Sequence, residues 1–172
     1  DVLFGDYNPS GKLPVTFYKN SQQLPDFEDY SMKSRTYRFM SDPLFQFGYG
    51  LSYTSFSIGN AQISKKQIKN GENLKISIPV SNTGKRDGTE VVQIYVRKMN
   101  DPNGPLKTLR GFQRIDIKAG KTSPAAIDLP YKAFEFYDES KLKVAVTPGE
   151  YEVWYGNSSA SKDLKMVKVN VI

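Results

Sequence analysis

The sequence predicts an all-β protein in which two antiparallel sheets pack as a sandwich behind an extended N-terminal linker segment. Three observations predict it. Apolar residues recur at every second position in short runs from about Phe56 onward, turn-forming pairs separate those runs, and almost no stretch has helical spacing. Sheets with one dry face each must bury those faces against one another, which is the arrangement of a sandwich. At 172 residues, with 38% apolar and 24% charged, the chain is large and apolar enough to hold a core.

The runs follow in order. An eighth strand is expected near Phe56 to Ile63, ahead of seven clearer ones. Leu74, Ile76, Ile78 and Val80 alternate with Lys75, Ser77, Pro79 and Ser81, and Val92, Ile94 and Val96 alternate with Gln93, Tyr95 and Arg97. Ile115 and Ile117 form the next run, Ile127 and Leu129 the one after, then Leu142, Val144 and Val146. Tyr151, Val153 and Tyr155 and finally Val167, Val169 and Val171 complete the set. Asn70-Gly71 and Asp87-Gly88 are expected to supply positive φ, and Pro148-Gly149 suits a type II turn. Pro79 lacks a ladder donor, so its strand is expected at an edge or with a bulge. "RKMNDPNGPLKTLRG" reads as a long loop at one end of the sandwich, and "PYKAFEFYDES" as either a short helical turn or an irregular crossover.

Residues 1–56 follow no sustained period. A turn through Asn8 to Gly11 leads to one expected strand, Leu13 to Phe17, which by itself satisfies no ladder. From Tyr18 the chain is rich in Ser, Asp, Pro and aromatics, as in a connector laid over a surface. The division expected is 1–56, a tail and linker, and 57–172, the sandwich. A start at Asp1 in place of Met reads as a segment of something longer.

Composition excludes several function classes. The chain has neither Cys nor His, which removes disulfides, thiol nucleophiles, the usual structural zinc and any Ser-His or Cys-His pair. No cofactor is indicated. The net charge of +6 arises after residue 56, where nineteen Lys or Arg face twelve Asp or Glu. Those lysines alternate with apolar residues, as on the wet face of strands, and no nucleic-acid motif accompanies them. No apolar run reaches membrane-spanning length, so neither nucleic acid nor membrane insertion is expected.

Two carboxylates suffice for glycoside cleavage, which makes the acidic clusters candidates. Asp26, Glu28 and Asp29 form one and Asp138 and Glu139 the other; both sit beside turn signals, where Asp caps backbone groups. "FGYGLS" lacks the spacing of a phosphate-binding or nucleophile-elbow motif. Asn157-Ser158-Ser159 matches an N-glycosylation acceptor. Tyr95, Trp154, Phe134 and Phe136 are candidates for stacking on sugar rings, against the alternative of cross-strand packing.

The stretches "FGDYNPSGKLPVTF", "MKSRTYRF" and "PLFQFGYGLSYTSF" resemble the C-terminal portion of glycoside hydrolase family 3, the β-glucosidase and β-xylosidase family. "VSNTGKRDGTEVVQIYV", "LKTLRGFQRIDIKAGKT", "LPYKAFEFYDE" and "VTPGEYEVWYGNSS" resemble that family's fibronectin type III-like (immunoglobulin-like) domain. The resemblance spans essentially the whole chain in register, and "MKSRTYRF" tilts it towards the xylosidase branch. It implies that 1–56 is the tail of the middle α/β domain plus a linker, and 57–172 the fibronectin type III-like sandwich. It also implies that the catalytic nucleophile, an Asp in an "SDW"-like motif, and the acid/base lie in domains upstream. Ser41-Asp42 is followed by Pro43, and the single Trp154 follows Val153, so no catalytic residue is carried over onto this chain.

The expectation is a non-catalytic accessory piece, not an enzyme by itself, that braces the catalytic domains of a glycosidase acting on terminal β-D-glucosyl or β-D-xylosyl residues. Its partners would be those upstream domains and, beyond them, a carbohydrate surface; a periplasmic or secreted location goes with such a parent. The alternative is a free-standing carbohydrate-binding or adhesion sandwich. Phe45, Phe47, Tyr49, Leu51 and Tyr53 are the expected domain-interface residues, because flat rings fill a crevice between domains and the intervening glycines allow close backbone approach.

Overall fold

Alternation along "LKISIPVSN" puts Leu74, Ile76, Ile78 and Val80 on one face, and all four are at most 1% exposed. In the computed structural model, which describes residues 1–172, eleven strands follow in order. They are β1 (Phe56–Ile58), β2 (Gln62–Ile63), β3 (Gln67–Ile68), β4 (Leu74–Asn82), β5 (Gly88–Lys98) and β6 (Thr108–Ile117), then β7 (Thr122–Leu129), β8 (Glu135–Asp138), β9 (Lys143–Val146), β10 (Gly149–Gly156) and β11 (Lys165–Val171). One sheet has β4 at its centre, with β7 along one side and β1 and β2 sharing the other. The second runs β3-β11-β10-β5-β6.

The two dry faces meet in a cluster of 20 buried residues that includes Ile78, Val80, Val92, Ile94, Leu129, Phe134, Tyr151, Val153 and Val169. Cross-strand pairs such as Leu74 with Leu129 and Ile76 with Ile127 fix its register. Phe134 meets Tyr151 edge-on at 5.5 Å, and the buried Tyr151 hydroxyl is satisfied by donating to the Thr147 carbonyl at 2.7 Å. At the corner where the linker enters, the buried Asn82 amide uses its whole hydrogen-bonding capacity. Its Nδ2 donates to the carbonyls of Arg86 and Ile117, and its Oδ1 accepts from Thr54 Oγ1 and the Gly84 amide.

Several expectations are corrected in detail. The run at Phe56 to Ile63 is two short strands, because the chain turns at Gly59, whose N–H donates to the Pro79 carbonyl at 2.8 Å. A Cβ at Gly59 would lie 2.6 Å from Pro79 Cγ. Pro79 therefore lies within the central strand β4, not at an edge. It faces Pro124 on β7, with its carbonyl and its missing N–H both turned to the gap between β1 and β2, so no ladder bond is lost. Leu142 has φ 50, outside the range of a strand, and β9 begins after it, pairing only with β8 in a separate hairpin. Of the two readings for "PYKAFEFYDES", the short helical turn holds: Tyr131–Phe134 forms a 3-10 turn before β8. Gly88 does not take positive φ; it opens β5 where a Cβ would meet Asn8 Nδ2 at 2.6 Å and Thr54 Cγ2 at 2.7 Å. At Gly149 φ is 141, which is not the value of a type II turn.

The largest correction concerns β5. Gln93 and Tyr95, expected on its wet face, are buried at 3% and 0%. They point away from the core, and the leading segment covers them.

Candidate interaction surface

Leu13 to Phe17 forms no regular strand. It runs extended beside Phe45 to Tyr49, with a single bridge at Phe17 and Phe45 and hydrogen bonds such as Gly48 N–H to the Leu13 carbonyl at 2.8 Å. This two-stranded plate lies on the outer face of β5. Gln93 Nε2 donates to the carbonyls of Gly48 and Asn157 at 3.0 and 2.9 Å, and the Ser159 N–H donates to the Phe47 carbonyl. Gly48 has φ 77, and a Cβ there would sit 2.0 Å from Gln93 Oε1, so both its conformation and its space require glycine.

Tyr37 clamps the same face. Its ring stacks on Phe47 at 4.3 Å, meets Tyr95 edge-on at 5.8 Å, and its hydroxyl accepts the Leu109 N–H at 3.0 Å. Burial, with Tyr37 adjacent, pushes the Tyr95 phenol well above its ordinary range. Two further anchors lie towards the start of β5 and the stretch of β6 paired with it. Lys12 pairs with Glu90 at 2.7 Å, their side chains 16% and 6% exposed, and Arg114 donates to Ser10 Oγ at 2.7 Å.

The five expected interface residues divide. Phe47 is half-buried in the stack just described. Phe45 packs edge-on with Phe17 at 6.1 Å and stacks with Tyr49 at 5.8 Å, yet both keep a face open to water. Tyr53 donates its hydroxyl to the Val2 carbonyl and lies under Arg86 while remaining half exposed. Leu51 is 68% exposed. Others escaped the sequence reading. Of 22 exposed large apolar residues, fifteen lie in residues 1–53, and Leu3, Phe4, Phe27 and Tyr30 are 88–96% exposed.

Two of the five candidate carboxylates are engaged in turns. Asp29 accepts the Ser31 N–H, which holds its carboxyl below the usual range. Asp138 is held low in the same way, chiefly by the Ser140 hydroxyl. A general acid needs the opposite shift. Tyr95, Phe134 and Phe136 are buried and present no ring to a sugar, whereas Trp154 is half-buried. Asn157 of the acceptor triplet is tied to Glu90 and the following two serines are buried. No group of three or more Asp or Glu converges as a metal site would require, and no helix is long and apolar enough to cross a membrane.

Fold and surface together define a fibronectin type III-like sandwich with a strapped-on leading segment. The model of the fibronectin type III-like domain matches residues 90–159, and that of the glycosyl hydrolase family 3 C-terminal domain matches residues 1–53. The chain is similar to the C-terminal portion of glycoside hydrolase family 3, its leading residues to that C-terminal domain and its later residues to the fibronectin type III-like domain. It is 55% identical over 171 residues to a xylan 1,4-β-xylosidase of Xylanibacter ruminicola, covering 99% of this chain and 20% of that protein. It is 34% identical to a periplasmic β-glucosidase of Salmonella typhimurium, covering 93% and 23%. A solved β-glucosidase from Erythrobacter marinus superposes with a TM-score of 0.81 at 36% identity, covering 99% of this chain and 23% of that one. The chain thus spans about a fifth to a quarter of the length of these relatives.

Proposed function

We propose that the chain is a non-catalytic accessory unit that braces the catalytic domains of a family 3 glycosidase, residues 1–56 serving as tail and linker and 57–172 as the sandwich. The observation that carries this is the one-sided distribution of apolar surface. The leading segment is held to the sandwich by Tyr37, Gln93, Lys12 and Arg114, while its other apolar side chains, Leu3, Phe4, Phe27 and Tyr30 among them, face water. Apolar exposure concentrated in this way marks a surface that another body covers. That body is the remainder of the parent enzyme, with Phe45, Tyr49, Leu51 and Tyr53 contributing to the contact.

The parent hydrolyses terminal β-D-glucosyl or β-D-xylosyl residues, a reading supported by the xylan 1,4-β-xylosidase and the periplasmic β-glucosidase among the relatives. The Salmonella relative supports a periplasmic or secreted location. The test is a chimera in which this chain replaces the matching fifth of the Xylanibacter xylosidase. The chimera should retain β-xylosidase activity, and Leu3→Ser with Phe4→Ser and Phe27→Ser should lower its melting temperature. A melting temperature unmoved by the triple change would refute the covered-surface reading.

A further inference from the structure

A cavity of about 230 Å³ opens at the seam between the leading segment and the sandwich, walled by Lys107, Arg97, Trp154, Ser159, Ser161 and Gln46 among others. Two cations face it, and no Asp or Glu belongs to its walls. Lys107 is 9% exposed and its ammonium has one partner, Ser161 Oγ at 3.0 Å. Burial first, and Arg97 second, pull its pKa below that of an ordinary lysine.

A buried ammonium without a counter-charge is strongly unfavourable. One ligand relieves this: a carboxylate between Lys107 and Arg97. Arg97 is only loosely engaged, 3.8 Å from Glu152, and retains donors for this purpose. The cavity is larger than a bare carboxylate requires and below the ~300 Å³ at which drug-sized sites begin. The remaining space lies against the Trp154 indole, an apolar surface suited to one sugar ring. Glu152 orients that indole by accepting from its Nε1 at 3.1 Å.

We propose that this seam is a binding site for a single carboxylate-bearing sugar, a hexuronate, with Lys107 and Arg97 holding the carboxylate and Trp154 the ring. The site stands apart from the bracing role and is built wholly within this chain. Trp154 is the chain's one tryptophan, so its fluorescence reports the cavity directly.

The experiment titrates the 172-residue chain with sodium D-glucuronate at fixed ionic strength, with D-glucose and sodium acetate as controls. A saturable change in Trp154 emission is expected with glucuronate, with glucose and acetate at least about tenfold weaker, the usual cost of removing a charge-assisted hydrogen bond or its complement. Lys107→Met should weaken glucuronate at least about tenfold while the protein still melts cooperatively. Arg97→Gln, at a more exposed position, should weaken it in the same direction and guards against misfolding of the first variant. No saturable response to glucuronate, equal binding of glucose or acetate, or undiminished binding in both variants overturns the proposal.

Discussion

Truncating Tyr37 tests whether the leading segment is part of the folded unit or merely rests against it. Tyr37→Ala removes a ring that stacks on Phe47 at 4.3 Å and meets Tyr95 edge-on at 5.8 Å, and it leaves the Leu109 N–H without its acceptor. Large aromatic-to-alanine changes in packed sites cost about 3–5 kcal/mol. Because Tyr37 is half-buried, the lower end applies, about 3 kcal/mol. Each aromatic pair accounts for roughly 0.5–1.5 kcal/mol of that beyond burial, and the orphaned amide for about 1–3 kcal/mol. For a domain of this size the melting temperature should fall by about 6–12 °C, at about 2–4 °C per kcal/mol. Tyr37→Phe keeps the stacking and should lose only the hydroxyl contribution. Urea and thermal unfolding monitored by circular dichroism measure both. A Tyr37→Ala protein within about 1 kcal/mol of wild type would refute the claim that residues 1–55 are docked through this clamp.

Other outcomes follow from the same contacts. Lys12→Met leaves Glu90 in a nearly closed site without its cation, with only the Val91 N–H and the Asn157 amide as donors; breaking a buried pair costs up to about 3–5 kcal/mol, measurable in urea. Asn82→Leu leaves the hydrogen-bond partners of the buried amide unsatisfied and should cost at least about 3 kcal/mol; a loss under 1 kcal/mol contradicts its role at the corner. Gly48→Ala collides with Gln93 Oε1 and should destabilise the protein, whereas Gly71→Ala, with open space but φ 77, should cost less. Asp29, Glu72, Asp87 and Asp138 all have folded pKa values below the ordinary carboxylate value. The unfolded chain therefore binds more protons in that range, so their stabilisation is present above the unfolded pKa, near 4, and is lost as pH falls through the folded values. Lys118 and Lys168 are raised by Asp87 and Glu150, and their contribution persists below the unfolded lysine value and is lost in strong alkali. A melting temperature flat from pH 5 to pH 2.5 would contradict the carboxylate part.

The regular strands were legible because burial on one face writes itself into alternation: β4, β7, β10 and β11 appear where the period-two runs are. β2 and β3, two residues each, leave no period to detect. The covered outer face of β5 did leave a signal. Between Glu90 and Arg97 the run "VVQIYV" carries no charge, whereas β4 and β11 place Lys75 and Lys168 on their wet faces. The absence of lysine at Gln93 and Tyr95 reflects the plate that lies over them. Composition found the aromatic stretch Phe45 to Tyr53 but not Tyr37, which anchors it, because a clamp assembled from Tyr37, Phe47 and Tyr95 depends on contacts distant in sequence. The Lys107 cavity was invisible for the same reason: its walls come from the leading segment, β5, the β5–β6 loop, β10 and the turn after it.

Turnover of nitrophenyl β-D-xyloside and nitrophenyl β-D-glucoside by the purified 172-residue chain tests the central claim most directly. No release of nitrophenol beyond a buffer blank is expected from the proposed accessory role, in which Asp29 and Asp138 serve as turn acceptors with carboxyls held below the usual range. Release that scales with the concentration of this chain and disappears on Asp29→Asn or Asp138→Asn would contradict it.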